Sequence, residues 1–172
     1  MSPSKLATDK VLARLSDATT GFNSAVSTVA SGYGIDAIYI DWDPTRTQFW
    51  PGALSPDQLD ESTTSEYPMA FLFATGARNE NLQKFSRFSG TVNVQLNIWL
   101  SWDSPDAIDT FESGGDAVED TLLAVFNAGS QDWGRYVYYN GDIAIDRGRL
   151  EMAGLNWRQR ISCQLTFEVT IP

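Results

Sequence analysis

Two segments constrain this chain more than anything else in it. In residues 91–100, Val92, Val94, Leu96, Ile98 and Leu100 alternate with Thr91, Asn93, Gln95 and Asn97. In residues 157–171, Trp157, Ile161, Cys163, Leu165, Phe167, Val169 and Ile171 alternate with Arg158, Arg160, Ser162, Gln164, Thr166, Glu168 and Thr170. A period of two sends the apolar set to one side of an extended backbone and the polar set to the other. Long strands with one wet face belong to antiparallel sheets, and the dry face needs a cover on that side alone.

Helical segments supply the cover. Val11, Leu15, Ala18, Phe22, Val26 and Val29 recur at steps of three and four, which predicts one N-terminal helix. Ser2 or Ser4 caps its start, Pro3 fits the first turn, and Gly32 and Gly34 close it. Gly21 is its weak point, costing about 1 kcal/mol relative to Ala and marking where it would bend. A second helix opens at Ser104-Pro105-Asp106 and keeps phase through Ile108, Phe111, Val118, Leu122 and Val125, with Gly114-Gly115 as the place where it would split. Between and around these lie a strand at 37–42 with Ile38, Ile40 and Trp42 on one face, a buried strand at 68–74, and a hairpin over 136–145 turning on Asn140-Gly141. Residues 51–66 read as a long loop with four acids, Asp57, Asp60, Glu61 and Glu66; residues 76–90 read as a second loop holding Arg78, Lys84 and Arg87. The expected fold is α+β in a single domain, 1–172: an antiparallel (mixed) sheet with the N-terminal helix and a second, acidic helix on one face, plus a hairpin.

Composition removes much chemistry. Twelve Lys and Arg against 22 Asp and Glu give a formal charge of −10, which suits no general binder of nucleic acid. The absence of histidine removes imidazole triads, histidine metal ligands and histidine pH switches. The single cysteine, Cys163, forms no intrachain disulfide and reads as a small buried hydrophobe. No leader-like apolar segment opens the chain and no apolar run is long enough to span a bilayer. No phosphate-binding glycine motif, EF-hand loop or nucleophile elbow occurs, and only Lys5, Lys10 and Lys84 offer a base to a serine. Asp41-Trp42-Asp43 resembles the DxD element of glycosyltransferases but ends a strand in a short chain, which favours a turn. Residues 103–120 hold seven acids and no base: Asp103, Asp106, Asp109, Glu112, Asp116, Glu119 and Asp120. That spacing fits a solvated helix face, a hard divalent cation, or an acidic surface that repels an anion. No catalytic residue, cofactor or metal ligand is expected.

The aromatics point instead to contact surfaces. Trp42, Phe49, Trp50, Trp99, Trp102 and Trp133 lie at strand ends or beside loops, and Trp99 falls in the polar phase of its strand. Aromatics in such places are enriched at subunit interfaces. They also serve to close the edges of a core or, more rarely, as a sugar-binding platform.

The order of elements resembles that of tail terminator and tail-completion proteins of long-tailed bacteriophages. It consists of a helix closed by SGYG, the strand IYIDW, a long loop, PMAFLFA, TVNVQLNIWL, an acidic helix and ISCQLTFEVTIP. The resemblance implies a virion protein of tail or neck, assembled in the host cytoplasm. It would form a ring with copies of itself, usually a hexamer, that ends the tail tube and joins it to the head connector. Its partners would be the tube and connector proteins; DNA would pass through the ring without specific binding, and no membrane is involved. On this reading Trp42, Phe49, Trp50, Asp57, Asp60, Glu61, Arg78, Lys84, Arg87 and Trp99 are interface candidates. Loop acids would pair with Arg78, Lys84 or Arg87 of a neighbour. Asp106, Asp109, Glu112, Asp116 and Glu119 would form an acidic lumen, where like charge keeps a duplex from sticking. The alternatives are another tail or neck subunit, such as a tube or head-completion protein, or a carbohydrate-binding module.

Overall fold

The computed structural model describes residues 2–44, 47–59, 66–80, 86–102, 108–134 and 136–172, with backbone alone at 108–110. It is an α+β fold in which three helices cover one face of a mixed six-stranded sheet.

The N-terminal stripe forms two helices, not one: α1, Pro3–Leu15, and α2, Phe22–Gly32. The Ser2 hydroxyl accepts from the Lys5 N–H to cap α1, with Pro3 in the first turn. The break comes from Asp17, whose carboxylate accepts the N–H groups of Thr19 and Thr20 at 2.9 and 2.7 Å and diverts them from a helical ladder. Gly21 completes the joint. A Cβ there would stand 2.4 Å from the Asp17 carbonyl oxygen, so only glycine lets the chain turn this tightly. Ala18, counted in the stripe, is therefore exposed at the turn.

Residues 37–42 run extended, with Ile38, Ile40 and Trp42 buried and Tyr39 exposed as expected, but they join no sheet. The Asn23 amide takes the place of a partner strand. Its Oδ1 accepts from the Ile40 N–H at 3.0 Å and its Nδ2 donates to the Ile40 carbonyl at 2.8 Å.

The sheet has the order β1-β2-β3-β6-β4, where β1 is Phe49–Pro51, β2 Met69–Asn79, β3 Phe88–Trp102, β4 Val137–Arg147 and β6 Asn156–Ile171. A short β5, Glu151–Ala153, pairs with the start of β6. β1 runs parallel to β2, and every other pairing is antiparallel. The central ladder β3–β6 runs from Phe88 opposite Ile171 to Trp102 opposite Trp157. Both ends of the segment read as a second loop are strand: β2 continues to Asn79 and β3 begins at Phe88, so Arg78 sits in a ladder opposite Thr91.

Asn140-Gly141 makes no hairpin. It is a bulge inside β4, where the register against β6 shifts between Tyr139 and Ile143 and Gly141 takes φ +83°. The tight hairpin lies later, where Gly154 at φ +65° opens the two-residue turn between β5 and β6. Helix α3, Ile108–Asn127, also departs from expectation by crossing Gly114-Gly115 unbroken. There the glycines admit neighbours. A Cβ at Gly114 would meet the Trp102 ring at 2.7 Å, and one at Gly115 the Arg147 guanidinium at 3.2 Å.

The core lies between the helices and one sheet face. Val11, Phe22, Val26, Val118 and Leu122 pack against Val92, Val94, Leu96 and Ile98 of β3 and against alternate residues of β6 from Ile161 to Val169, all fully enclosed. Arg14 ties α1 to the C-terminal end of α3 by donating to the carbonyls of Val125 and Ala128.

Candidate interface surfaces

The helix-free face of the sheet carries a second, smaller apolar cluster of Met69, Phe71 and Trp99, with Trp50, Leu59 and Tyr67 against it. The first part of the long loop folds over this cluster through a short 3-10 turn, Pro56–Gln58. Arg158 fastens it. Its Nη1 and Nη2 donate to the two Asp57 carboxylate oxygens at 2.7 Å each, Glu151 accepts at 3.3 Å, and the guanidinium lies 5.0 Å from the Trp99 ring centroid. The Arg158 hydrogen bonds hold the Asp57 carboxyl below its ordinary range. Arg158 was not singled out in the sequence. Its one signal there is an arginine in the polar phase of a strand whose partner carries Trp99 in the same phase.

These contacts redraw the set of candidate residues. Trp42 and Phe49 are core residues, 5% and 0% exposed, packed against Phe22 and against each other, and have no area to offer a neighbour. Trp99 is 7% exposed under Arg158, so its polar-phase position is explained inside the chain. Trp50 is half-buried and stacks on Phe71. Trp102 packs edge-on to Phe111, and Trp133 against Phe126, Tyr139 and Phe167. Asp57 pairs with Arg158 of its own chain, in place of Arg78, Lys84 or Arg87 of another. Arg78 and Arg87 are exposed, and Arg78 lies 3.3 Å from Glu80. Asp60, Glu61 and Lys84 lie outside the described residues.

The acidic helix is not one continuous anionic face. Arg147 reaches from β4 to donate to both Asp116 and Glu119, the latter at 2.7 Å, and the Tyr33 hydroxyl donates to Asp120. Glu112 is exposed. Asp106 and the Asp109 side chain lie outside the described residues. Among the described residues, no group of three or more Cys, Asp and Glu side chains is placed to hold a metal ion. The Asp41 carboxylate accepts from the Asp43 N–H at 3.1 Å, the geometry of a local turn. Burial pushes the Cys163 thiol up to about 12, so it stays protonated and inert. No helix among the described residues is long and apolar enough to cross a membrane.

Two further exposed features bear on contact with a neighbour: a hairpin tip, which was not named from the sequence, and the sheet edges. The β5–β6 hairpin tip shows Met152 at 66% and Leu155 at 93% exposure. Among the described residues, the sheet also ends on backbone that is partly unpaired at both sides. Among the described residues, no strand pairs with β2 beyond Leu72 on the side of β1. The outer side of β4 is covered, among the described residues, at its start alone, where the Gln131 carbonyl accepts from the Tyr139 N–H and the Trp133 backbone N–H donates to the Val137 carbonyl. In comparisons with known proteins, the sequence matches no family model and no curated protein.

Proposed function

We propose that this chain is a structural subunit of a bacteriophage tail or neck, forming a ring of its own copies that ends the tail tube and joins it to the head. The observation that carries the reading is the sheet itself, whose edges are in part unpaired, among the described residues, on opposite sides of one protomer. Free edges are a liability that soluble chains blunt or cover. A cyclic array covers both with one repeated contact, because a head-to-tail interface closes into a ring when its rotation allows. The bare Met152–Leu155 tip adds an apolar contact for the tube or the connector. The element order that resembles tail terminators supports the same reading. The test is native mass by light scattering after gel filtration, across protein concentration and with purified tail tubes. A discrete multiple of the 19.0 kDa chain, alone or on tubes, is the expected result. A monomer under every condition that also fails to bind tubes overturns it.

A further inference from the structure

We infer that the second half of β2, residues 73–79, pairs antiparallel with the free part of β4, residues 140–147, in a neighbouring copy, so that one sheet runs from protomer to protomer. This deepens the ring reading and rests on it for the identity of the partner.

Strand direction is the first support. From β2 through β3 and β6 to β4 each neighbour is antiparallel, so β4 points opposite to β2. A next copy related by rotation about a ring axis therefore brings its β2 to β4 in the antiparallel sense, and the alternation continues unbroken.

The pattern of capping is the second. β1 occupies the first half of β2, from Ala70 to Leu72, and residues 131–133 occupy the outer side of β4 from Val137 to Tyr139. Among the described residues, what remains open is 73–79 on one edge and 140–147 on the other, runs of seven and eight residues that each carry a bulge and span about 23–26 Å at the usual rise. The runs are staggered within one protomer. Ala77 stands in the row of Val92, Phe167 and Tyr139, whereas Ile145 stands in the row of Cys163, Leu96 and Leu72. Joining them inclines the strands to the ring axis, as closing any sheet requires.

Charge is the third. Arg78, with its side chain 82% exposed, shares the helix-free face with its partner Thr91. Asp146 lies on that face opposite Ser162, and Asp142 precedes Ile143, whose partner Leu165 faces the core. Laid antiparallel, the end of the β2 run meets the start of the β4 run, which brings Arg78 toward Asp142. A two-fold pairing of β4 with itself would instead set Asp142 against Asp146 of the other copy, and like charges opposite each other oppose pairing.

The test places cysteines at Arg78→Cys and Asp142→Cys in one chain and oxidises it mildly. Both sites are exposed, and buried Cys163 leaves the background silent. The expected result is a ladder of covalent multimers from the double variant, no more than dimers from an equimolar mix of the single variants, and monomers from each single variant alone. Arg78→Asp and Asp142→Arg serve as a second measurement. Each alone should raise the concentration needed for assembly about ten-fold, and the pair together should restore it. Disulfide-linked dimers from a chain carrying both Asp142→Cys and Asp146→Cys would overturn the proposal in favour of a two-fold contact, because that pairing sets the two positions opposite each other. A discrete ring with no ladder and no response to either charge reversal overturns it while leaving the ring reading standing. Loss of any multimer in the parent chain, with or without tail tubes, overturns both.

Discussion

The two faces of the sheet are covered by different means. On one, three helices lay aliphatic and aromatic side chains against β3 and β6, and the seal comes from area removed from water. On the other, three buried residues sit under a short stretch of loop held by a single arginine. The first face is spread over many contacts; the second hangs on one. Truncation at the centre of the helix face is therefore the largest expected effect. Phe167→Ala removes a fully buried ring that packs against Trp133 and Tyr139, and should lower stability by about 3–5 kcal/mol, read as a fall in the denaturant midpoint. A loss under about 1 kcal/mol would mean that this face is far looser than its burial implies.

Arg158→Ala tests the other face. It removes a paired hydrogen bond to a carboxylate and a ring contact, and should lower stability by about 2 kcal/mol. The sharper readout is local. Protease should nick residues 52–59 in the variant, and indole emission from Trp50 and Trp99 should shift to the red while helix content stays unchanged. If the segment stays protected, the apolar contacts of Leu59 and Trp50 hold it without the arginine, and the contrast between the faces weakens.

That contrast also separates what the sequence made legible from what it hid. The helix face was readable because β3, β6 and the helices obey short periods, and a period needs no knowledge of distant residues. The errors arose where one side chain overrode the local pattern. Asp17 captured the N–H groups that would have continued the first helix, and Asn23 stood in for a strand beside Ile40. Asn140-Gly141 became a bulge because β6 is long enough to pair with residues on both sides of it. The contact of Asp57 with Arg158 spans about a hundred residues of sequence and leaves no periodic trace. It turned a presumed intermolecular acid into an internal fastener. The open edges and the hairpin tip needed the strand order, which no local pattern carries.

The glycines of α3 sharpen the account of the helix face at smaller scale. Replacing a mid-helix glycine by alanine ordinarily stabilises by about 1 kcal/mol. Gly115→Ala should keep most of that gain, because its new methyl meets the end of the Arg147 side chain, which can swing aside. Gly114→Ala should lose it and fall below the parent by about 1 kcal/mol, because the Trp102 ring, wedged against Phe111, cannot. The check is the difference in melting temperature between the two variants. Equal shifts would show that Trp102 yields as easily as the arginine.

The smallest effect is one of pH, and its sign follows from Asp57. Arg158 hydrogen bonds and charge hold that carboxyl below its ordinary value of 3.8. A carboxyl depressed in the folded chain adds stability that is fully present above its unfolded value and fades as pH falls through the folded one. The loop over Trp99 should therefore stay fastened through neutral and mildly acid solution and loosen only below about pH 4. Asp17 is depressed too, by the Thr20 and Thr19 N–H groups, so acid sensitivity of the whole chain does not isolate Asp57. Pepsin cleavage within 52–59, followed from about pH 5 to about pH 2, reads the second face alone. In the parent chain, cleavage should rise as pH falls through that window. Expressed relative to cleavage of an unstructured peptide, which removes pepsin's own pH dependence, cleavage of Asp57→Asn should already be high at the upper end and change little, since an amide cannot titrate. A parent and variant that rise together would show that the arginine holds the loop through its ring contact and Glu151, with Asp57 a bystander.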